Sequence, residues 1–335
     1  MFSVIIPLYN KERHIQKTID TVLNQTFDEF EIVVIDDGST DQSLNIVRDI
    51  DCDKLRVYSQ VNQGVSVARN NGAKKAKFDY LLFLDADDGL MPAYLTEIST
   101  LIAEYPQAGI YATNLYTYKS KFDALIKRPV PFLPKKAVVD NYFKLLLEKG
   151  PLLASVSVIT REAFDKAGGY PKGLVNGEDT YFLSKILLTE KVCYLNKPLY
   201  FHTYDSDNRA SAKYRPANSD VSLLDCLGSG VHKADEYIIV YSLGQVKKLI
   251  RSGFTNEAMK HLESIKRVAP VHLSECVEKR ADEIMRLKRW PYWYHRGKKS
   301  AANNLVYIKD ILKYKLKIPV DVFLLPIKQG FFRRI

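Results

Sequence analysis

The chain has 335 residues, of which 46% are hydrophobic and 26% are charged, the ordinary composition of a soluble globular protein. No apolar stretch reaches the roughly 18 residues of a membrane-spanning helix, which argues against an integral membrane protein. The four cysteines have no metal-ligand spacing, and no basic leader precedes the first apolar run. We therefore expect reduced thiols and a cytoplasmic location.

The first half of the chain alternates strands and helices. Hydrophobic patterning predicts strands at residues 2–7, 30–35, 55–59 and 79–84, separated by helices at residues 11–25, 42–50 and 64–76. Such alternation predicts an α/β fold with a mainly parallel central sheet and helices on both faces. The loops that follow the strands then lie at one edge of the sheet, where open α/β sheets bind their ligands.

The second half of the chain has a more mixed pattern. It predicts helices at residues 91–105, 140–149 and 178–189, and strands at residues 111–118, 156–160, 192–195 and 199–204. From about Ser219 onward the periodicity is helical. We therefore predict an α/β domain over residues 1–210 and a helical C-terminal region over residues 211–335.

The positive charge is concentrated at the C-terminal end. The formal net charge is +10, and residues 280–335 hold 14 Lys/Arg against 4 Asp/Glu, so the rest of the chain balances to zero. Aromatic residues such as Trp290 and Trp293 are interleaved with the basic ones. This pattern favours peripheral binding to an anionic membrane surface, on the inner face of the cell membrane. The alternatives are a solvated helical tail and a nucleic-acid-binding tail, and no nucleic-acid-reading motif supports the latter.

The most informative segment runs from Tyr80 to Asp88. Five apolar or aromatic residues lead directly into the sequence Asp-Ala-Asp-Asp, as in a buried strand that ends in a cluster of carboxylates. Clustered carboxylates repel one another unless a cation lies among them, and hard oxygen ligands suit Mg²⁺ or Mn²⁺. For this segment alone, the alternative is an Asp-rich turn before a helix that begins near Met91.

Five segments together resemble the family 2 glycosyltransferases, which have the GT-A fold. These are residues 2–10 (FSVIIPLYN), 33–41 (VVIDDGSTD), 62–72 (NQGVSVARNNG), 85–88 (DADD) and 176–179 (NGED). Their order and approximate spacing match the family over roughly residues 2–205. The resemblance implies an inverting glycosyltransferase that uses a nucleotide sugar, with UDP as the expected nucleotide.

In this family the first loops hold the nucleotide. The resemblance implies that Pro7, Tyr9 and Asp37 contact the base and ribose, and that Arg69 lies near the diphosphate. A tyrosine ring can stack on a pyrimidine, and a carboxylate can accept a hydrogen bond from a ribose hydroxyl. Glu12 is a further candidate for this pocket. The structural alternatives are a turn role for Asp37, a surface position for Arg69 and a solvated position in the first helical turn for Glu12.

The family pattern also assigns the acidic motifs. Asp87 is implied as the main ligand of Mg²⁺ or Mn²⁺, with Asp85 near the sugar or ribose. Asp179 is the candidate general base, and Glu178 supports it or contacts the acceptor. The spacing of Asn176 and Asp179 also fits a capping box, and a helix N-terminus would lower the pKa of Asp179.

The loop after the last strand supplies two further candidates. His202 and Arg209 are candidates to reach a phosphate or the metal, and a solvated polar loop is the alternative for both. The Gln-x-x-Arg-Trp motif of processive synthases is missing between Asp179 and the helical region, which favours transfer of single sugars to a glycan or a lipid-linked oligosaccharide.

Two other functions remain open at this point. A sugar-1-phosphate nucleotidylyltransferase would also combine an α/β sheet with Asp–metal chemistry, but it would need a Gly-rich basic loop after the first strand. That position reads Leu-Tyr-Asn-Lys-Glu here. A catalytically inactive protein that binds glycans or sugar nucleotides is the second alternative, and the intact acidic motifs argue against it.

Overall fold

The computed structural model describes residues 1–119, 124–127, 134–139, 141–149, 156–174, 176–204 and 222–288. Its strands are β1 (Phe2–Leu8), β2 (Phe30–Asp36), β3 (Leu55–Ser59), β4 (Tyr80–Phe83), β5 (Gly89–Leu90), β6 (Ile110–Lys119), β7 (Ala124–Lys127), β8 (Lys136–Val139), β9 (Val158–Thr160) and β10 (Val192–Thr203). Its helices are α1 (Ile15–Leu23), α2 (Ser43–Arg48), α3 (Val65–Lys75), α4 (Tyr94–Glu104), α5 (Tyr142–Lys149), α6 (Arg161–Ala167), α7 (Glu178–Leu187), α8 (Ala234–Arg251), α9 (Thr255–Val268) and α10 (Ser274–Lys288).

All of these strands belong to one mixed sheet. Its order is β3-β2-β1-β4-β9-β6-β10-β5, with β7 added to β6 and β8 added to β10. Strands β3, β2, β1 and β4 are parallel, and this half of the sheet matches the prediction. The other half is mixed, because β9 inserts antiparallel between β4 and β6, and β5, β7 and β8 add further antiparallel pairs. The predicted α/β class is confirmed, and the mixed half keeps one long parallel pair, β6 with β10.

Two elements of the second half differ from the prediction. The strands predicted at 192–195 and 199–204 are one strand, β10, whose register against β6 slips on both sides of Pro198. Proline has no N–H to donate to the ladder, so the pairing is interrupted there while the chain direction continues. Helix α6 was not predicted. It begins after Thr160, whose side chain accepts from the Ala163 N–H, and its seven residues are too few to show a clear period.

The core lies on both faces of the sheet. Strands β1 and β2 are buried along almost their whole length, as their continuous apolar sequences predict. Helix α3 packs unusually close to β1, because a Cβ atom on Gly72 would lie 2.3 Å from Cγ2 of Ile5. This close approach holds α3, and with it Arg69, against the end of the sheet.

The last three helices have a hydrophobic core of their own. It includes Leu243 of α8, Leu262 of α9 and Ile284 of α10. At the start of α8, Ala234 belongs to the core cluster under the sheet, so α8 joins the two parts. The helical prediction is confirmed for residues 222–288, whereas the boundary near residue 210 and the tail beyond Lys288 lie outside the described residues.

Within the described ranges, no helix is both long and apolar enough to span a bilayer. All four cysteines are free thiols, as the spacing predicted.

Candidate active site

The loops after β1 and β2 are joined at the carboxyl edge of the sheet. Asn10 has a φ of +51°, a left-handed conformation that asparagine tolerates better than most residues. Its Oδ1 accepts from the Thr40 N–H at 2.8 Å, and the Lys11 N–H donates to Ser43 Oγ at 2.8 Å. The loop leaves the Tyr9 side chain 47% exposed, so its ring is available to stack on a base. Pro7, opposite Ile35 of β2, precedes it at the end of β1.

Asp37 holds the next loop in place. Its Oδ1 accepts from Gln60 Nε2 and from the Gln63 N–H, and its Oδ2 accepts from the Gly64 N–H, each at 2.8 Å. The carboxylate is buried, so these bonds replace water and stabilise its charge. Asp37 therefore positions the loop that leads into α3, and any contact with a nucleotide would add to this structural role.

Arg69 is the buried centre of the site. Its side chain is only 3% exposed, and one terminal nitrogen donates to Asp179 Oδ1 at 2.8 Å while the other donates to Asp85 Oδ1 at 2.8 Å. Glu178 Oε1 lies 3.9 Å from the first of these nitrogens, and the Tyr170 ring lies 4.8 Å below the guanidinium. The surface alternative for Arg69 is therefore wrong: this residue joins the two acidic motifs.

Helix α7 presents Glu178 and Asp179 at its first turn. The helix begins after Gly177, which has a φ of +88°, so Asn176 is not the capping residue and the predicted capping box does not form. Asp179 bonds to Arg69 instead. Burial raises the pKa of Glu178 to about 7, with repulsion from Asp179 adding to it and Arg69 opposing it.

The pKa of Asp179 is also raised rather than lowered. Burial is the main cause, and the attraction of Arg69 opposes it without cancelling it. Because 37% of the side chain remains exposed, the desolvation is partial. The expectation that the helix N-terminus lowers this pKa was wrong, since burial in a group of three acids outweighs the helix dipole here. A raised pKa makes Asp179 a better proton acceptor.

Each carboxylate of the Asp-Ala-Asp-Asp loop has a basic partner from a different part of the chain. Asp85 bonds to Arg69, and Asp87 Oδ2 lies 2.7 Å from Lys11 Nζ. Asp88 is buried, lies 3.1 Å from His202 Nδ1 and accepts from the Thr203 N–H at 2.9 Å. Burial raises the pKa of Asp88 to about 6, and the bond to His202 opposes this rise. The loop is thus held by three basic side chains and by one backbone N–H group.

The donor atoms of this loop suit Mg²⁺ or Mn²⁺. Carboxylate oxygens are the preferred ligands of these ions, and one or two of them suffice when phosphate oxygens and water complete the shell. In the part of the chain that the structure describes, no three His, Cys, Asp or Glu side chains converge to hold a metal ion by themselves. Water molecules or oxygens from a substrate would complete the coordination shell.

The first half of the chain matches a known protein family. The sequence profile of glycosyl transferase family 2 matches residues 3–167. Residues 3–167 therefore form a domain of this family. Streptococcus pneumoniae glycosyltransferase GlyA is 33% identical over 207 residues, which cover 59% of this chain and 30% of that protein. The uncharacterized glycosyltransferase EpsJ of Bacillus subtilis is 29% identical over 65% of each chain, so these matches span less than two thirds of the relatives' lengths.

Among solved structures, the fold resembles that of residues 1–349 of S. aureus TarS, determined in complex with UDP-GlcNAc. The TM-score is 0.68 at 21% identity, and the match covers 88% of this chain and 91% of that one. At this identity the likeness establishes the fold alone. The GT-A fold inferred for this family 2 chain is thereby confirmed.

The predicted site residues of the family 2 domain do not all meet. Arg69, Asp85, Glu178 and Asp179 form one cluster, and Asp87 lies on the same loop as Asp85. Glu12 is exposed, and its Oε2 accepts from the Gln42 N–H at 3.0 Å, so it caps the start of α2. This position is solvated, as its structural alternative expected, but it serves α2 and not the first turn of α1. Arg209 lies outside the described residues.

Sequence reasoning missed two residues of this site. Lys11 follows the first strand at a position whose side-chain direction the pattern does not indicate, yet it reaches the Asp87 carboxylate. Tyr170 was not among the predicted site residues, yet its ring packs under Arg69 and stacks on Phe182 with ring centres 4.0 Å apart. The only signal for Lys11 in the sequence was the presence of a basic residue in the loop after β1, at the edge of the sheet where the acidic loop was also predicted.

Proposed function

We propose that this chain transfers a single sugar from a nucleotide-diphosphate donor, with UDP as the nucleotide, to a hydroxyl group of a glycan or lipid-linked acceptor. The observation that carries the proposal is the Arg69 bridge, because it joins the candidate base Asp179 to the donor-side acid Asp85. Family membership and the fold shared with TarS, which was solved with UDP-GlcNAc, support the choice of donor.

The transfer itself is a single displacement with inversion. The acceptor oxygen attacks the anomeric carbon, the bond from that carbon to the β-phosphate oxygen breaks, and UDP leaves with the bonding electrons. Asp179 accepts the proton of the acceptor hydroxyl as the new bond forms. Its raised pKa and its exposed edge support this role, and Arg69 orients the carboxylate.

The negative charge that develops on the departing diphosphate needs compensation. Asp87, with Asp85 beside it, would hold Mg²⁺ or Mn²⁺, and the cation when bound supplies positive charge to the phosphate oxygens. The preference of these ions for carboxylate oxygens supports this assignment. Tyr9 would bind the base by stacking, which its exposure permits.

A donor panel tests the enzymatic proposal. The chain is incubated with UDP-, GDP- and dTDP-sugars, Mn²⁺ or Mg²⁺ and candidate acceptors, and release of the nucleoside diphosphate is measured. We expect release from a UDP-sugar, and a loss of about 100-fold or more in Asp179→Asn because the base is removed. Asp20→Asn is the matched control, since Asp20 is an exposed α1 residue whose Oδ1 accepts a hydrogen bond from Gln16 Nε2 on the same helix. No release with any donor, or full turnover in Asp179→Asn, contradicts the proposal.

We also propose that the basic tail binds an anionic membrane surface where a lipid-linked acceptor would lie. Its excess of Lys/Arg and its interleaved aromatic residues support this. The test is co-sedimentation with vesicles containing phosphatidylglycerol, comparing the full chain with a version that ends at Lys288. The cut is placed there because α10 extends to Lys288 and Ile284 packs in its core. Equal vesicle binding by both versions would contradict the proposal that the tail binds the membrane surface.

A further inference from the structure

Lys11 forms an ion pair inside the donor site. Its ammonium group lies 2.7 Å from Asp87 Oδ2, although 76 positions separate the two residues. Their side chains are only 12% and 14% exposed, so the pair is mostly shielded from water. Surface ion pairs contribute little to stability because solvent screens their charges. The Lys11–Asp87 pair is screened less because it is mostly buried, and it joins two loops of the site.

The backbone around Lys11 holds the ammonium group in this position. The Lys11 N–H donates to Ser43 Oγ at 2.8 Å, and its carbonyl oxygen accepts from the N–H groups of His14 and Ile15 at 2.9 and 3.0 Å. The residue is therefore fixed at the start of α1, and only its flexible side chain can move. A lysine side chain has four rotatable carbons, so its charge can move several ångströms without a backbone change.

The carboxylate that Lys11 contacts is the one proposed to bind the divalent cation. An ammonium group at 2.7 Å occupies a lone pair of Oδ2 and repels a second positive charge beside it. The neighbouring acids do not relieve this competition, because Asp85 is bound to Arg69 and Asp88 to His202. A cation that binds through Oδ2 of Asp87 therefore has to displace the ammonium group.

We propose that Lys11 is an internal counter-ion of the donor site: it neutralises Asp87 before the cation arrives, competes with the cation for this carboxylate, and then moves to the donor's diphosphate. The inference rests on the proposed function and deepens it, because it names a positioning residue that couples cation entry to diphosphate binding. In the absence of a cation, Lys11 would also be the group through which the site attracts a nucleoside diphosphate.

The test measures binding rather than turnover. Mn²⁺ binding is followed by the loss of the free-ion electron paramagnetic resonance signal, and UDP binding by calorimetry with EDTA and again with Mn²⁺. The proteins are wild type, Lys11→Met, Lys11→Arg, which keeps the charge, and Lys166→Met. Lys166 is the matched control, since it forms a 3.0 Å ion pair with Glu190 near Gly109, at the opposite edge of the sheet. Circular dichroism confirms that each variant is folded, and Lys11→Gln replaces Lys11→Met if that variant is not.

Removal of the competing charge should strengthen Mn²⁺ binding in Lys11→Met by about fivefold or more, because solvent screens this pair less than the surface pairs whose contribution corresponds to about fivefold. The same variant should bind UDP more weakly in EDTA, with a smaller deficit in Mn²⁺. Lys11→Arg and Lys166→Met should resemble wild type in Mn²⁺ affinity. Equal or weaker Mn²⁺ binding by Lys11→Met overturns the role of Lys11, and if wild type still binds UDP, the proposed function stands. Failure of wild type to bind UDP overturns the proposed function itself. Absence of Mn²⁺ binding in all variants overturns both the proposal that Asp87 binds a divalent cation and the proposal that Lys11 competes with it.

Discussion

Arg69 donates a 2.8 Å hydrogen bond to Asp179, although 110 positions separate the two residues. The same guanidinium holds Asp85, and so a single buried cation fixes the candidate base relative to the donor-side acid. The planar fork of arginine can hold two carboxylates at once, whereas a lysine ammonium is a single point of charge. This relationship explains why an arginine is placed in the middle of three acids.

Replacement of Arg69 by lysine should impair both catalysis and stability. The shorter point charge cannot hold Asp85 and Asp179 together, so we expect turnover to fall by about 100-fold, as for other misplaced catalytic groups. The free energy of unfolding should fall by up to about 3 kcal/mol, because a buried ion pair loses its geometry. Turnover and urea unfolding measure the two effects. Arg48→Lys, at an exposed position of α2, is the control. Wild-type turnover in Arg69→Lys would contradict the bridging role.

The raised pKa of Glu178 predicts a pH-dependent stability difference. Its pKa rises from 4.5 to about 7 on folding, so the folded protein binds the proton more tightly than the unfolded chain between these values. The stability of wild type relative to Glu178→Gln is therefore highest below pH 4.5 and falls as the pH rises through about 7. We expect Glu178→Gln to gain ~1 kcal/mol or more relative to wild type between pH 5 and pH 8. Parallel urea titrations at both pH values measure this, and an unchanged difference would refute it.

The same acids should shape the pH dependence of transfer. Asp179 must be ionised to accept a proton, and its pKa is raised by burial. We therefore expect kcat/KM to rise with pH on an acidic limb, as the carboxyl group loses its proton. The measurement is the rate of UDP release from pH 5 to pH 8.5. A flat profile for wild type would argue against a carboxylate base in this cluster.

Asp37→Asn should loosen the loop before α3. Three hydrogen bonds of 2.8 Å end on the two oxygens of Asp37, and the amide group of asparagine leaves only one oxygen to accept them. We expect a loss of about 1–3 kcal/mol in the free energy of unfolding, since buried donors would lose their partners. UDP binding should weaken as well. Asp49→Asn, at an exposed position, is the control, and equal stability of the two variants would contradict this account.

Gly72→Ala should destabilise the protein by about 1–3 kcal/mol, the usual cost of overpacking a core. The new Cβ atom would lie 2.3 Å from Cγ2 of Ile5, so α3 would have to move away from β1. Gly244 of α8 is the matched control, because no atom lies within 4 Å of its added Cβ. Gly244→Ala should stabilise by about 0.5–1 kcal/mol through helix propensity. Thermal unfolding of both variants measures the contrast, and shifts of the same sign would contradict it.

The sequence predicted much of the fold because its signals are local. The continuous apolar runs of β1, β2 and β4 predicted a buried parallel half-sheet, and their polar ends predicted the edge where the site lies. The antiparallel insertion of β9 was not predictable, since three residues carry no direction of pairing. The single strand β10 was divided in the prediction because Pro198 interrupts its hydrogen-bond ladder without ending it.

The sequence by itself determined the family, the acidic motifs and their position at the strand ends, because these depend on residue type and spacing. Only the tertiary structure decided which charge meets which. The pairs Arg69–Asp179 and Lys11–Asp87 join segments 110 and 76 positions apart, and no periodicity encodes such contacts. The sign of the Asp179 pKa shift was likewise decided by packing, since burial among neighbouring acids outweighs the local effect of a helix N-terminus.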